Sequence, residues 1–269
     1  LAALREIRGG LGRLVTADRG VLVDLLLSFR DVSAWDDMVG LCEAMPVELQ
    51  RATPVRHQWA LALNRRNRGS DRGRAEEIVR QLVTERGADA ETLGILGRIC
   101  KDRYQEAKAA GRGAMARAAL DQAIDAYTRG FETDPRDYYP GVNAVTLLLE
   151  KANLPDLTAE DRAQAEREVA RLTPAVGFAV ARRGGATSSD YWDVATVLEL
   201  AAISGDWPMA ESVLGRVLLH AQEAWMANTT IANLTIVRDL RRRSGGTPRL
   251  DGIIAELGAR SRELAGGAS

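Results

Sequence analysis

Lysine is scarce in this chain of 269 residues: only Lys101, Lys108 and Lys151 among 36 basic residues are lysine, and the rest are arginine. Together with abundant alanine and glycine, this reads as the coding bias of a GC-rich bacterium, so the arginine surplus does not by itself mark a nucleic-acid binder. The formal net charge of −1 supplies no global field toward DNA, RNA or an anionic membrane. Two cysteines, Cys42 and Cys100, are too few for a disulfide framework and fall on apolar helical faces. The two histidines, His57 and His220, stand far apart without ligand spacing around them, which argues against a metal centre. No apolar run of about 18 residues and no signal peptide is present, so the reading is a cytoplasmic protein without membrane contact. The sequence does not begin with methionine, which suggests a segment of a longer polypeptide. Paired carboxylates, a nucleophile with its base and a cofactor motif are all missing, so neither an enzyme nor a cofactor is expected. Aromatics make up 5% against 46% hydrophobic residues, a balance that suits helices packed through Ala, Leu and Val better than a sheet.

What the chain does contain is a repeat. Trp59, Ala75, Leu93, Leu96 and Gly97 fit the aromatic, small and apolar positions of the tetratricopeptide pattern, whose period is about 34 residues. The same period spaces Arg30, Asn64 and Arg98, and also Ser33, Asn67 and Lys101. The expected fold is therefore all-α, a tetratricopeptide-like right-handed α-solenoid of about twelve or thirteen helices.

Residues 1–19 read as an N-terminal capping helix, residues 20–153 as tetratricopeptide-like repeats, and residues 154–269 as further helical repeats with a closing cap. In the first repeat Leu22, Leu25, Leu26 and Phe29 recur at helical spacing, and the Ser33 hydroxyl is expected to cap the next helix. The second repeat turns through Asn64 to Asp71. The third places its small residue, Ala123, and its closing Pro135 about four turns late, so both of its helices should be lengthened around Gly111 to Gly113. Thr158 should cap a long helix that Pro174 kinks or divides, and Gly184 to Ser189 reads as a flexible loop. Four helices should follow, the third of them ending near Arg243. Tyr191, Trp192, Trp207, Trp225 and Met226 are expected in packing, and Ser188 and Ser189 beside Asp190 at a helix cap rather than in a hydrolase triad.

Several phrases go beyond the generic repeat. LLLSFRDVSAWDDMVGL, ALNRRNRGSDRGRA, LGRICKDRY, GVNAVTLLL and SSDYWDVATVLELAAISGDWPMAESVLGRVL stand in that order between Gly20 and Val237. They resemble the TRAFs-binding segment in the central regulatory region of the apoptosis signal-regulating kinases and its bacterial relatives. In the kinases this segment is a helical tetratricopeptide array between a thioredoxin-binding domain and the kinase domain, followed by a pleckstrin-homology-like domain. The resemblance implies a non-catalytic regulatory scaffold, in a bacterial setting linked to nucleotide-dependent stress signalling. It carries over no catalytic residue, and TRAF binding does not transfer to a bacterial context.

In tetratricopeptide arrays the ninth and twelfth positions of each first helix face the groove. These are Arg30, Asn64 and Arg98, then Ser33, Asn67 and Lys101, with Tyr139 and Asn143 added from the fourth repeat. Guanidinium and amide donors in such a stripe suit a carboxylate-bearing segment of a protein partner, or of a flanking domain of the same polypeptide; they suit a small anionic ligand such as a nucleotide equally well. The competing reading is a solvated surface whose cations pair with Asp31, Asp71 and Asp102. Arg65, Arg66, Arg68 and Arg72 form a second basic cluster at the turn, where arginine also answers the helix dipole.

Overall fold

The computed structural model describes residues 1–242 and 248–266. These residues form fourteen α-helices, two short 3-10 turns and no strand, an all-helical solenoid-like fold. The chain divides into two compact units, Leu1–Thr133 and Asp134–Ser269.

In the first unit, α1 (Ala2–Gly10) precedes a pair formed by α2 (Arg19–Asp31) and α3 (Trp35–Ala44). The single turn α4 (Val47–Gln50) leads to α5 (Thr53–Arg66) and its partner α6 (Asp71–Arg86), and then to α7 (Ala90–Ala109) and α8 (Gly113–Thr133). Each pair packs on the next through α3 against α5 and α6 against α7. The apolar stripe of α2 puts Leu22, Leu26 and Phe29 fully inside, each contributing roughly 1.5–3 kcal/mol by leaving water. The third pair is the longest, with helices of 20 and 21 residues against 14 and 16 in the second. Gly97 is what lets these two long helices meet: a Cβ there would lie 2.6 Å from the ring of Tyr127, which is fully buried.

Ser33 does not cap α3. Its φ of 54° places it in the left-handed region, its N–H donates to Arg30 O at 2.9 Å and the N–H of Ala34 donates to Phe29 O at 2.9 Å. That pair of bonds closes the end of α2, and the same pattern recurs at Gly111 after α7 and at Gly205 after α11. Serine thus stands where glycine is usual, and α3 starts from Ala34 without a side-chain cap. The caps that do form are mostly aspartates: Asp18 on α2 and Asp89 on α7 accept from backbone N–H groups of the first turn.

The second unit holds α9 (Tyr138–Ala152), α10 (Ala159–Ala181), α11 (Tyr191–Ser204), α12 (Trp207–His220), α13 (Ala224–Arg242) and α14 (Pro248–Gly266). They also pair in order, but α13 packs on both α11 and α9, so this unit closes on itself more than a simple stack does. Thr158 caps α10 as its sequence suggests, accepting from Asp161 N at 3.1 Å. Pro174 does not divide that helix, which runs on to Ala181. Gly184 to Ser189 is not a loose connection: a 3-10 turn over Gly185–Thr187 is pinned by Ser188 Oγ, which donates to Asp193 at 2.7 Å. Tyr191 is buried with its hydroxyl 2.8 Å from Thr230 Oγ1, and its ring meets Trp192 edge-on at 5.0 Å. The expected end of the penultimate helix at Arg243 lies outside the described residues.

Candidate interaction site

The Asn64-Arg65-Arg66-Asn67 turn and the Gly97-Arg98 to Lys101-Asp102 helix segment are far apart in sequence and meet in the first unit. Asn67 ends α5 in the left-handed conformation, φ 49°, which asparagine tolerates better than most residues. Asn64, one turn earlier, is buried and donates from Nδ2 to Asp102 Oδ2 at 2.7 Å. Its Oδ1 accepts from Arg72 Nε at 2.9 Å, so one amide joins α5 to both α6 and α7. Arg98 lies a helical turn before Asp102 and meets it at 3.0 Å. Glu106, a further turn along α7, accepts from Asn67 Nδ2 at 2.7 Å and forms an ion pair with Arg72.

A second layer closes the turn itself. Asp71 accepts from Arg66 Nε and NH2 at 2.7 and 2.8 Å and from the N–H of Arg68 at 3.0 Å. This two-pronged contact with Arg66 holds the Asp71 carboxyl below its usual range. Arg68 reaches back to Asp36 on α3 at 2.6 Å, tying the first pair to the second. Burial would raise Glu106, but the hydrogen bonds from Arg72 and Asn67 outweigh it and Glu106 also sits low.

Of the residues singled out in the sequence, Asn64, Asn67, Arg72 and Arg98 thus belong to one connected set of bonds, and Arg66 to the layer beside it around Asp71. Arg30 ends α2 beside Asp31, 3.2 Å away, Arg65 is exposed on the last turn of α5, and Lys101 is buried on α7. Tyr139 and Asn143 belong to the second unit, where Asn143 Nδ2 donates to Tyr139 O at 2.9 Å and the Tyr139 side chain is exposed. The cations are opposed, as the competing reading of the sequence had it: Asp31 answers Arg30, Asp71 answers Arg66 and Asp102 answers Arg98, and Glu106 faces Arg72 besides. Glu106 was missed, although Arg98, Asp102 and Glu106 recur every four residues and so share one helix face.

The second unit has its own polar centre. Asp193, 1% exposed, accepts from Arg183 Nε at 3.0 Å and from Ser188 Oγ at 2.7 Å, and it faces the Tyr138 hydroxyl. Arg183 also stacks over the Tyr138 ring at 5.6 Å. Burial first, and then the facing Asp193, push the Tyr138 hydroxyl well above the ordinary tyrosine range.

Neither cysteine is placed for chemistry. Burial pushes the Cys42 thiol up to about 12 and that of Cys100 up to about 11, which keeps both protonated. His57 is buried and meets Thr92 Oγ1 at 2.8 Å. Among the described residues no group of three or more His, Cys, Asp or Glu could hold a metal, and no helix is long and apolar enough to cross a membrane.

Paired helices stacked through polar joints define the class of helical-repeat modules that act through protein contacts. The model of the MAP3K TRAFs-binding domain matches residues 2–251, and the chain belongs to that family. It is 25% identical over 245 residues to mitogen-activated protein kinase kinase kinase 15 of Mus musculus, covering 89% of this chain and 17% of the relative. It is 27% identical over 228 residues to the kinase kinase kinase nsy-1 of Caenorhabditis elegans, covering 79% of this chain and 14% of the relative. Human mitogen-activated protein kinase kinase kinase 6 is 28% identical over 225 residues, covering 81% of this chain and 16% of the relative. The chain therefore spans less than a fifth of these kinases, in a regulatory interaction segment of them.

Proposed function

We propose that this chain is a non-catalytic regulatory scaffold of a bacterial stress-signalling protein. The face of the first unit that carries Arg30, Asn67 and Arg98, with Asn64 and Lys101 buried beneath it, takes an acidic segment of a protein partner or of a flanking domain. Tyr139 and Asn143 offer a separate patch on the second unit. The family description names TRAFs as partners of its kinase members; for this chain the partner is defined by its chemistry, a carboxylate-rich segment.

The observation that carries this reading is that the two phrases NRRN and GRICKD, which set the family apart from an ordinary repeat, converge on one joint. Its guanidinium and amide donors are ordered in advance, which lowers the entropic cost of holding an anion. The scarcity of lysine supports the bacterial setting.

The test is Arg98→Glu. The side chain of Arg98 is partly exposed and pairs with Asp102 of its own helix, so circular dichroism should be unchanged. Calorimetry with a synthetic peptide rich in Asp and Glu should show binding to the parent and loss of at least tenfold in the variant. Equal affinity for both proteins would remove the groove from the account. Heat from a nucleotide but not from the peptide would move the assignment to a small-ligand sensor.

A further inference from the structure

The three carboxylates of the first unit's polar joint are not equivalent. The side chains of Asp71 and Asp102 are 5% and 13% exposed, whereas that of Glu106 is 47% exposed. Of the two groups that hold Glu106, the guanidinium is fixed without it. Arg72, 12% exposed, is oriented through Nε by the Asn64 amide, which Asp102 anchors in turn. Asn67 is set by the left-handed end of α5, where its N–H closes the helix on Leu63 O at 2.9 Å. The result is a preset, nearly buried guanidinium beside an exposed amide whose backbone is fixed, facing an acid on a flexible side chain that arrives from another helix. Arg112 adds a further positive potential at the same carboxylate.

From this asymmetry we infer that Arg72 and Asn67 form a carboxylate-binding site which Glu106 fills in the free protein and yields to an acidic side chain of the partner. The inference rests on the proposed peptide-binding face and adds its regulation. A nearly buried guanidinium requires a counter-anion at all times, since an unpaired charge there is costly. Glu106 supplies one while no partner is present. It competes as a tethered ligand, whose effective concentration is in the millimolar range for a short flexible connection, so only a segment bearing several acids displaces it. The site is thereby closed to isolated carboxylates and opened by a multivalent acidic strand.

Glu106→Gln tests the idea, because glutamine keeps the size of the side chain and can still accept from Asn67, yet leaves Arg72 without its anion. The probe is the same Asp/Glu-rich peptide, titrated into parent, Glu106→Gln, Arg72→Met/Glu106→Gln and Arg98→Glu proteins. Glu106→Gln should bind about tenfold more tightly than the parent, and should also bind acetate, which the parent does not. The double variant should lose that gain. Glu106→Asp, one methylene shorter, serves as a milder control and should fall between the parent and Glu106→Gln. Affinity of Glu106→Gln equal to the parent's, with Arg98→Glu still weakened, would overturn the placeholder role and leave the binding face standing. Absence of binding by both the parent and Glu106→Gln would overturn both.

Discussion

The two units solve the same problem, joining successive helix pairs through polar groups, in opposite ways. In the first, six ionised side chains (Arg66, Asp71, Arg72, Arg98, Asp102 and Glu106) and two asparagines share the load across α5, α6 and α7, and several of them keep contact with water. In the second, one buried carboxylate, Asp193, gathers a guanidinium and two hydroxyls. A distributed joint keeps most of its bonds when one member is removed, since most of the remaining groups hold a second partner. A concentrated joint fails at its centre. The design of the first unit tolerates exchange of partners, and that of the second fixes a geometry.

Removal of the centre should therefore give the largest effect. Asp193→Ala leaves the buried Tyr138 side chain without the carboxylate it faces and frees the half-buried Ser188 hydroxyl, and should cost about 3 kcal/mol in urea unfolding, with half-exposed Arg183 turning to solvent. Asp71→Ala in the first unit should cost clearly less. Equal losses would erase the contrast.

Packing marks the next step down. Gly97→Ala brings a Cβ against Tyr127 in the first unit and should cost about 1–3 kcal/mol, and Gly97→Leu more. At Gly177 of the second unit the nearest neighbour of an added Cβ is Leu200 at 3.9 Å, so Gly177→Ala should be tolerated or slightly stabilising. An unchanged denaturation midpoint for Gly97→Ala would contradict the helix contact.

Acid sharpens the comparison with the smallest effect. The Arg66 guanidinium holds Asp71 below its unfolded value near 4, and hydrogen bonds do the same for Glu106 against the opposing pull of burial. A carboxylate lowered in the folded state stabilises the fold above its unfolded pKa, and that stability is lost as pH falls through the folded value. The first unit, followed by Trp35 and Trp59 with the other tryptophans replaced by phenylalanine, should lose thermal stability progressively below about pH 4. Arg66→Met should flatten that dependence; an identical acid profile would deny Asp71 its role.

Much of this organisation was legible in the sequence, and what escaped has a physical reason. Local signals worked: the apolar stripe of α2, the Thr158 cap and the small residue at position 97 all depend on neighbours within one helix or on the repeat period. Contacts between repeats were harder. Asn64 reaches Asp102 and Asn67 reaches Glu106 at separations of 38 and 39 residues, and Tyr191 reaches Thr230 at 39. These equal one repeat plus about one helical turn, an offset set by how pairs stack and not by the pattern within a pair. Serine at position 33 looked like a cap because its side chain is a good one, whereas the backbone used it for a left-handed turn. Pro174 looked like a break because its missing N–H counts heavily in an isolated helix; packing around Leu172 and Val176 keeps α10 whole.

The long hairpin of α7 and α8 has a consequence for the order of events as the chain folds. Its helices adjoin in sequence, are joined by the tight turn at Gly111 and touch along most of their length, so its contacts close short loops and carry a small entropic cost. The first unit is therefore expected to begin folding at this hairpin, with Tyr127 seated over Gly97 early. The partners of Asp102 and Glu106 on α5 and α6 arrive afterwards, on a surface already formed. In kinetic terms, substitutions at Gly97 act on the rate of refolding, and those at Asn64 or Asn67 act on the rate of unfolding.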